Sequence, residues 1–232
     1  MYNNQRIIKE LKPYIPAADI FRIYKKEAGC AFLDSSLVND LGRYSIIGRA
    51  PYLKLVKDGD AFTVNGKPET GKTFEDYMRE YLNTHEDKNE CPLPIVSGAI
   101  GYFSYDYGRE QMGVPTGEKD LVTIPEAVLT FYDCFIVEDR REKRTYLVSN
   151  GITGNAPELI RSMEKEIQEN VKFGKISVSE AEKKITDPVS HREKFKIQVH
   201  PNFEKEEYKQ AVDRMIRYII EGDIYIANMT QQ

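Results

Sequence analysis

The chain has 232 residues, 41% of them hydrophobic, which is enough for one large or two small globular domains with a buried core. Its formal net charge is -4, with Lys and Arg dispersed among Asp and Glu, so no basic stripe is offered to nucleic acid. No apolar run approaches the roughly 20 residues of a membrane span, and Met1–Lys12 lacks the apolar centre of a signal peptide, so the expected location is cytoplasmic.

Ala17–Lys26 places Ile20, Ile23 and Tyr24 at helical spacing, with Gly29 following where a helix would stop. Four short runs rich in β-branched and aromatic residues come next: Ala31–Asp34, Arg43–Ile47, Tyr52–Val56 and Ala61–Val64. The last two flank Asp58-Gly59, a hairpin signal, and the set predicts an antiparallel meander. Phe74, Tyr77, Met78, Tyr81 and Leu82 form one apolar helical face behind Thr73, a helix-starting residue. Ile95–Tyr105, with two glycines among large apolar residues, predicts a buried strand in close backbone contact with a neighbour.

Ala127–Val137 and Thr145–Val148 predict a second hairpin around the charged turn Glu138–Arg144. Leu159, Ile160, Met163 and Ile167 predict another helix, whereas Val171–His200 is so charged that it predicts a connector. A further helix over Phe203–Glu221 carries Tyr208, Val212, Met215, Ile216 and Ile219 on one face, starts on acidic residues and stops at Gly222. Ile224–Met229 then carries apolar groups on both faces, the pattern of an interior strand, and the chain is expected to break off inside a second domain. Cys30, Cys91 and Cys134 are an odd number without metal-ligand spacing and predict neither a disulfide scaffold nor a zinc site.

Gly66–Thr73 fits G-x-x-x-x-G-K-[ST], follows a strand and precedes a helix, so nucleotide binding is a rival reading. Against it, the strand before the loop is an arm of a hairpin and not part of a parallel βαβ unit, and Pro68 removes one N–H from any phosphate cradle.

Gly222-Asp223-Ile224-Tyr225-Ile226-Ala227-Asn228-Met229-Thr230-Gln231 resembles the GDI(F/Y)xxNxSQ segment that opens the chorismate-binding domain of the anthranilate, aminodeoxychorismate and isochorismate synthases. Phe32-Leu33-Asp34-Ser35-Ser36 and Gly42-Arg43-Tyr44-Ser45-Ile46-Ile47-Gly48 are similar to the LLES and GRYSFIG motifs of the amino-terminal domain in the first two enzymes. Gly98–Asp106 is similar to their GGxxGYxxYD. Three motifs in family order imply an α+β fold, mostly antiparallel sheet layers with flanking helices over residues 1–171. A connector over 172–200 and the beginning of an α+β chorismate-binding domain, truncated at 232, would follow.

The resemblance further implies a chorismate substrate, Mg²⁺ held by carboxylates that lie outside this chain, and ammonia from a glutamine amidotransferase subunit. The chain alone is expected to be inactive. Asp34 in place of the usual Glu, Phe131-Tyr132-Asp133 and Ile226-Ala227-Asn228 favour aminodeoxychorismate synthase component I, of p-aminobenzoate and folate synthesis; the alternative is anthranilate synthase component I. No catalytic residue is named by either. The resemblance does imply an effector pocket for a tryptophan-like amino acid at Ser35, Gly42, Arg43, Tyr44 and Ser45, where hydroxyls and backbone groups could hold the ammonium and carboxylate and Tyr44 could cover the ring. The alternative is that Ser35 caps a turn and Tyr44 is core. Tyr102–Asp106 has a similar pair of readings, a docking face or a structural strand, and the structural one is preferred.

Overall fold

The computed structural model describes residues 6–87, 89–113, 124–174 and 201–230. The chain divides into two compact units, residues 1–181 and 182–232. The connector expected over 172–200 lies outside the described residues from 175 onward.

The first unit is an antiparallel sheet flanked by helices. In chain order it comprises β1 (Ile7–Leu11), α1 (Ala17–Tyr24), β2 (Ala31–Leu33), β3 (Tyr44–Asp58), β4 (Ala61–Val64), β5 (Lys67–Pro68), α2 (Phe74–Thr84) and β6 (Gly98–Phe103). It continues with α3 (Tyr105–Gln111), β7 (Ala127–Asp139), β8 (Arg144–Ser149) and α4 (Ala156–Lys172). Strand order is β1-β8-β7-β3-β4-β5, with β2 also on β3 and β6 also on β7. The separate strands predicted at Arg43–Ile47 and Tyr52–Val56 are one strand of 15 residues. Pro51 does not end it because the register against β7 slips between Pro51 and Leu53, so proline sits at a bulge, where a central strand tolerates it.

That bulge divides the sheet. Before it, β3 pairs with β2, and the matching end of β7 pairs with β8; beyond it, β3 pairs with β4 and β7 with β6. Side chains alternate along β7, so Cys134 and Ile136 join Ile20, Leu147 and Ile160 in a core under α1 and α4, while Phe135 and Val137 join Val96 and Val148 on the opposite face. On the other half, Phe74 at the start of α2 is buried against Leu55, Phe62 and Phe131. Thr73 starts α2 as its pattern predicts, its Oγ1 accepting from the Asp76 amide at 3.1 Å.

The strand predicted over Ile95–Tyr105 is shorter and is not buried. Among the described residues β6 pairs with β7 alone, and Tyr102 and Phe103 are 38% and 48% exposed, although the Phe103 ring meets those of Phe74 and Tyr107 at 6.2 and 5.0 Å. The close approach is present: a Cβ on Gly101 would lie 1.8 Å from the Val128 carbonyl oxygen, so only glycine fits there. Ser104 then ends the strand and starts α3, its Oγ accepting from the Tyr107 amide at 3.1 Å.

In the second unit, α5 (Lys205–Glu221) is opened by a capping box between Glu204 and Glu207 and closed by Gly222 at φ 84°. The interior strand predicted at Ile224–Met229 is not formed. No ladder partner faces it among the described residues, and the amides of Asp223 and Ile224 turn back to the Tyr218 carbonyl at 2.9 and 3.4 Å. No helix among the described residues is long and apolar enough to cross a membrane.

Candidate functional site

Ser35 lies just after β2, and Tyr44 and Ser45 begin β3; the pairing of Leu33 with Ile46 brings the two segments together. The Ser35 hydroxyl donates to the Tyr44 carbonyl at 2.6 Å, and the Ser35 amide donates to Ser45 Oγ at 3.1 Å. Ser45 is fully buried and its hydroxyl donates to Asp34 Oδ1 at 2.8 Å. A Cβ on Gly42 would sit 2.3 Å from the Leu37 carbonyl oxygen, so the loop from Asp34 to Arg43 closes tightly only on glycine. Asn39 stabilises that loop, its Oδ1 accepting from the amides of Leu41 and Gly42 at 2.9 and 2.7 Å. Tyr44 packs at the edge of the core that contains Val137 and Val148.

The charged neighbours of this cluster come from the far end of β7 and the turn behind it, and local patterning does not reveal them. Arg43 Nη2 donates to Asp139 Oδ2 at 2.5 Å, its Nε lies 3.1 Å from both carboxylate oxygens, and its guanidinium stands 5.0 Å from the centroid of the Tyr44 ring. Burial pushes the Asp139 carboxyl up, but hydrogen bonds from Arg43 and from the amides of Glu142 and Arg141, together with the Arg43 charge, outweigh burial and hold it below the usual carboxylate range. Arg140 donates to the Ser35 carbonyl and stands 3.8 Å from Asp34. The five residues of the expected pocket are therefore brought together, and the hydroxyls of Ser35 and Ser45 already have partners within the chain.

Elsewhere the chemistry expected from motifs is less concentrated. Lys67–Pro68 of the Gly66–Thr73 segment is a strand paired with β4, the Gly71 amide donates to Glu69 Oε1 at 2.8 Å, and Lys72 is ion-paired with Glu80. These contacts agree with a surface loop: the Gly71 amide and Lys72 face carboxylates of the same chain, on a hairpin and not a parallel sheet. Asp106 pairs with Arg109 on α3 at 3.0 Å, a local helix contact. Among the described residues no three His, Cys, Asp or Glu side chains converge as a metal-ligand set, so these residues do not fit a Mg²⁺ site. A cavity of about 650 Å³ opens at the carboxyl end of α2, and none of the five motif residues lines it.

Residues 39–232 match the family model described as chorismate binding enzyme. Anthranilate synthase component 1 of Saccharomyces cerevisiae is 28% identical over 228 residues, 93% of this chain and 42% of that protein. The corresponding protein of Acetivibrio thermocellus is 26% identical over 229 residues, 89% of this chain and 43% of that one. The chloroplastic anthranilate synthase alpha subunit 2 of Arabidopsis thaliana is 27% identical over 218 residues, 84% and 34% respectively. The chain thus spans between 34% and 43% of the length of these curated relatives. The crystal structure of anthranilate synthase component I from Streptococcus pneumoniae TIGR4 shares its fold, with a TM-score of 0.55 over 81% of this chain and 40% of that one at 17% identity.

Proposed function

The chain belongs to the chorismate binding enzyme family, and from that premise we propose that it is part of an anthranilate synthase component I. In this reading the complete protein uses chorismate and receives ammonia from a glutamine amidotransferase subunit. The observation that carries the proposal is the family match over residues 39–232, joined to curated relatives that are anthranilate synthases along more than four-fifths of the chain.

The aminodeoxychorismate reading loses its footing on two of the residues that suggested it. Asp34 accepts a hydrogen bond from Ser45 and neighbours Arg140, and Asp133 is wholly buried and holds the loop after β8. Each has a structural role that either product would require, so neither residue discriminates between them. The Ser35, Gly42, Arg43, Tyr44 and Ser45 cluster is retained as an effector pocket within the proposal. Its support is that the residues converge at the β2–β3 junction, with the Arg43 guanidinium over the Tyr44 ring. Binding an amino acid there would exchange existing bonds of Ser35 and Ser45 for bonds to the ligand.

Genetic complementation tests the product. The full reading frame that contains these residues, expressed with a glutamine amidotransferase subunit, is expected to restore growth of a strain requiring anthranilate and not of one requiring p-aminobenzoate. Rescue of the second strain alone would favour the folate branch. Rescue of neither would overturn the synthase reading.

A further inference from the structure

The cavity at the carboxyl end of α2 lies within the first unit and is walled by Tyr52, Tyr77, Tyr81 and Phe131. Its volume of about 650 Å³ is that of a small-molecule site. The rings that wall it are not parallel. Tyr81 meets Phe131 at an interplanar angle of 62° with centroids 4.8 Å apart, and Tyr52 is inclined to Phe131 by 49° at 6.3 Å. Parallel faces would form a slot for a flat ring, whereas inclined ones enclose a rounded group. The walls are also held without a ligand: the hydroxyls of Tyr81 and Tyr52 lie 3.0 Å apart, and His85 stacks on the Tyr81 ring at 4.1 Å. Little side-chain freedom is left to lose on binding.

The formally charged residues lining the cavity are Glu86, Asp87 and Arg6, one more anion than cation. Arg6 Nη2 donates to Asp87 Oδ2, and Arg6 Nε donates at 2.8 Å to Oδ1 of the buried Asn150. That ion pair offsets itself and leaves Glu86 to set the sign of the field at the rim. Ser97 Oγ donates to the same Asp87 oxygen at 2.6 Å, so among the described residues only one oxygen of Asp87 is used. Burial pushes the Asp87 carboxyl up, but the hydrogen bonds from Ser97 and Arg6 outweigh it and keep the group ionised at neutral pH. Aromatic faces, negative at their centres, and a negative rim both favour a cation. A bare ammonium is strongly hydrated and would lose that hydration against walls that offer few acceptors. Alkyl groups on the nitrogen spread the same charge over a rounded apolar surface, which suits the rings and the neighbouring Leu53, Leu82 and Ile152.

We propose that this cavity binds a small quaternary ammonium compound, its alkylated nitrogen enclosed by Tyr52, Tyr77, Tyr81 and Phe131 and its charge facing Glu86 and Asp87. The cavity is separate from the Ser35 cluster, and binding there is independent of the reaction that the complete protein performs. Calorimetric titration of the 232-residue chain with choline should show one saturable site with a Kd below about 1 mM. 3,3-Dimethylbutan-1-ol has the shape of choline with carbon in place of the charged nitrogen, and it should bind at least about tenfold more weakly. Glu86→Gln, a change at an exposed residue, should weaken choline by about threefold. Leu82→Lys should weaken it by about tenfold or more, because Leu82 lines the cavity and is 50% exposed, so a cation is added to the wall without entering the core. Binding weaker than about 1 mM, or none, would overturn the proposal. So would equal affinity for choline and its neutral isostere, or full choline affinity in either charge variant.

Discussion

Asp133 is wholly buried, and among the described residues backbone and hydroxyl donors hold its side chain. Its Oδ1 accepts from the Asn150 amide at 2.9 Å, and its Oδ2 accepts from the Thr153 amide and hydroxyl at 2.6 and 2.7 Å. Asp133→Ala would leave these donors facing an empty apolar space, and the expected loss of unfolding free energy in urea is about 3 kcal/mol. Asp133→Asn, which keeps the shape, should lose less. Asp139 contributes differently, through its pairing with Arg43. Its folded pKa is depressed, so the stabilisation is complete above the unfolded value of about 3.9 and is lost as pH falls through the folded value below it. The difference in Tm between the wild type and Arg43→Met should therefore be largest near neutrality and shrink below about pH 4. A difference that stays constant down to about pH 2 would refute the pairing. The grouping of Ser35 with Tyr44 and Ser45 is implied by the family resemblance of the Phe32–Ser36 and Gly42–Gly48 motifs, and in the structure a short strand, a tight loop and a second strand create the contact. The roles of Asp139, Arg140 and Arg6 were not legible in the sequence, since their partners lie on distant segments and no local periodicity encodes such pairs.

Elements were legible where a residue's neighbours in sequence decide its environment. The faces of α2, α4 and α5 follow from 3.6-residue spacing and their caps, and β4 follows from its hairpin. β3 was not, because Gly48 and Pro51 weaken the local strand signal and only the ladder with β7 keeps the strand continuous. β6 misled in the opposite direction: its apolar composition suits a buried strand, yet exposure is set by which layers exist and not by composition. The helix α5 permits a direct measurement. It has 17 residues and none is buried, with Ile216, Ile219 and Ile220 exposed at 48%, 43% and 78%. A helix without tertiary burial is marginal in water, so its amides from Tyr208 to Glu221 should exchange no more than about tenfold slower than unprotected ones. The amides of β7 should exchange only on global unfolding of the first unit. Equal protection of α5 and β7 would show that the helix gains its stability from packing.

For the molecule as a whole, the first unit is organised by one long pair of strands. β3 and β7 are the strands that run through both halves of the sheet, and every residue of that ladder joins positions 70 to 95 apart in the sequence. This has a consequence for the chain during its synthesis. Until β7 leaves the ribosome, β3 can hold only its short neighbours β2 and β4, and the apolar side chains of Ile47, Leu53 and Leu55 have no opposite strand to cover them. At ordinary elongation rates the wait lasts roughly 4 to 20 seconds, long compared with the microseconds in which a hairpin forms. Over that interval the nascent chain is a substrate for chaperones, and slowing translation between Asp58 and Ala127 would prolong its exposure to aggregation without changing a single contact of the finished fold.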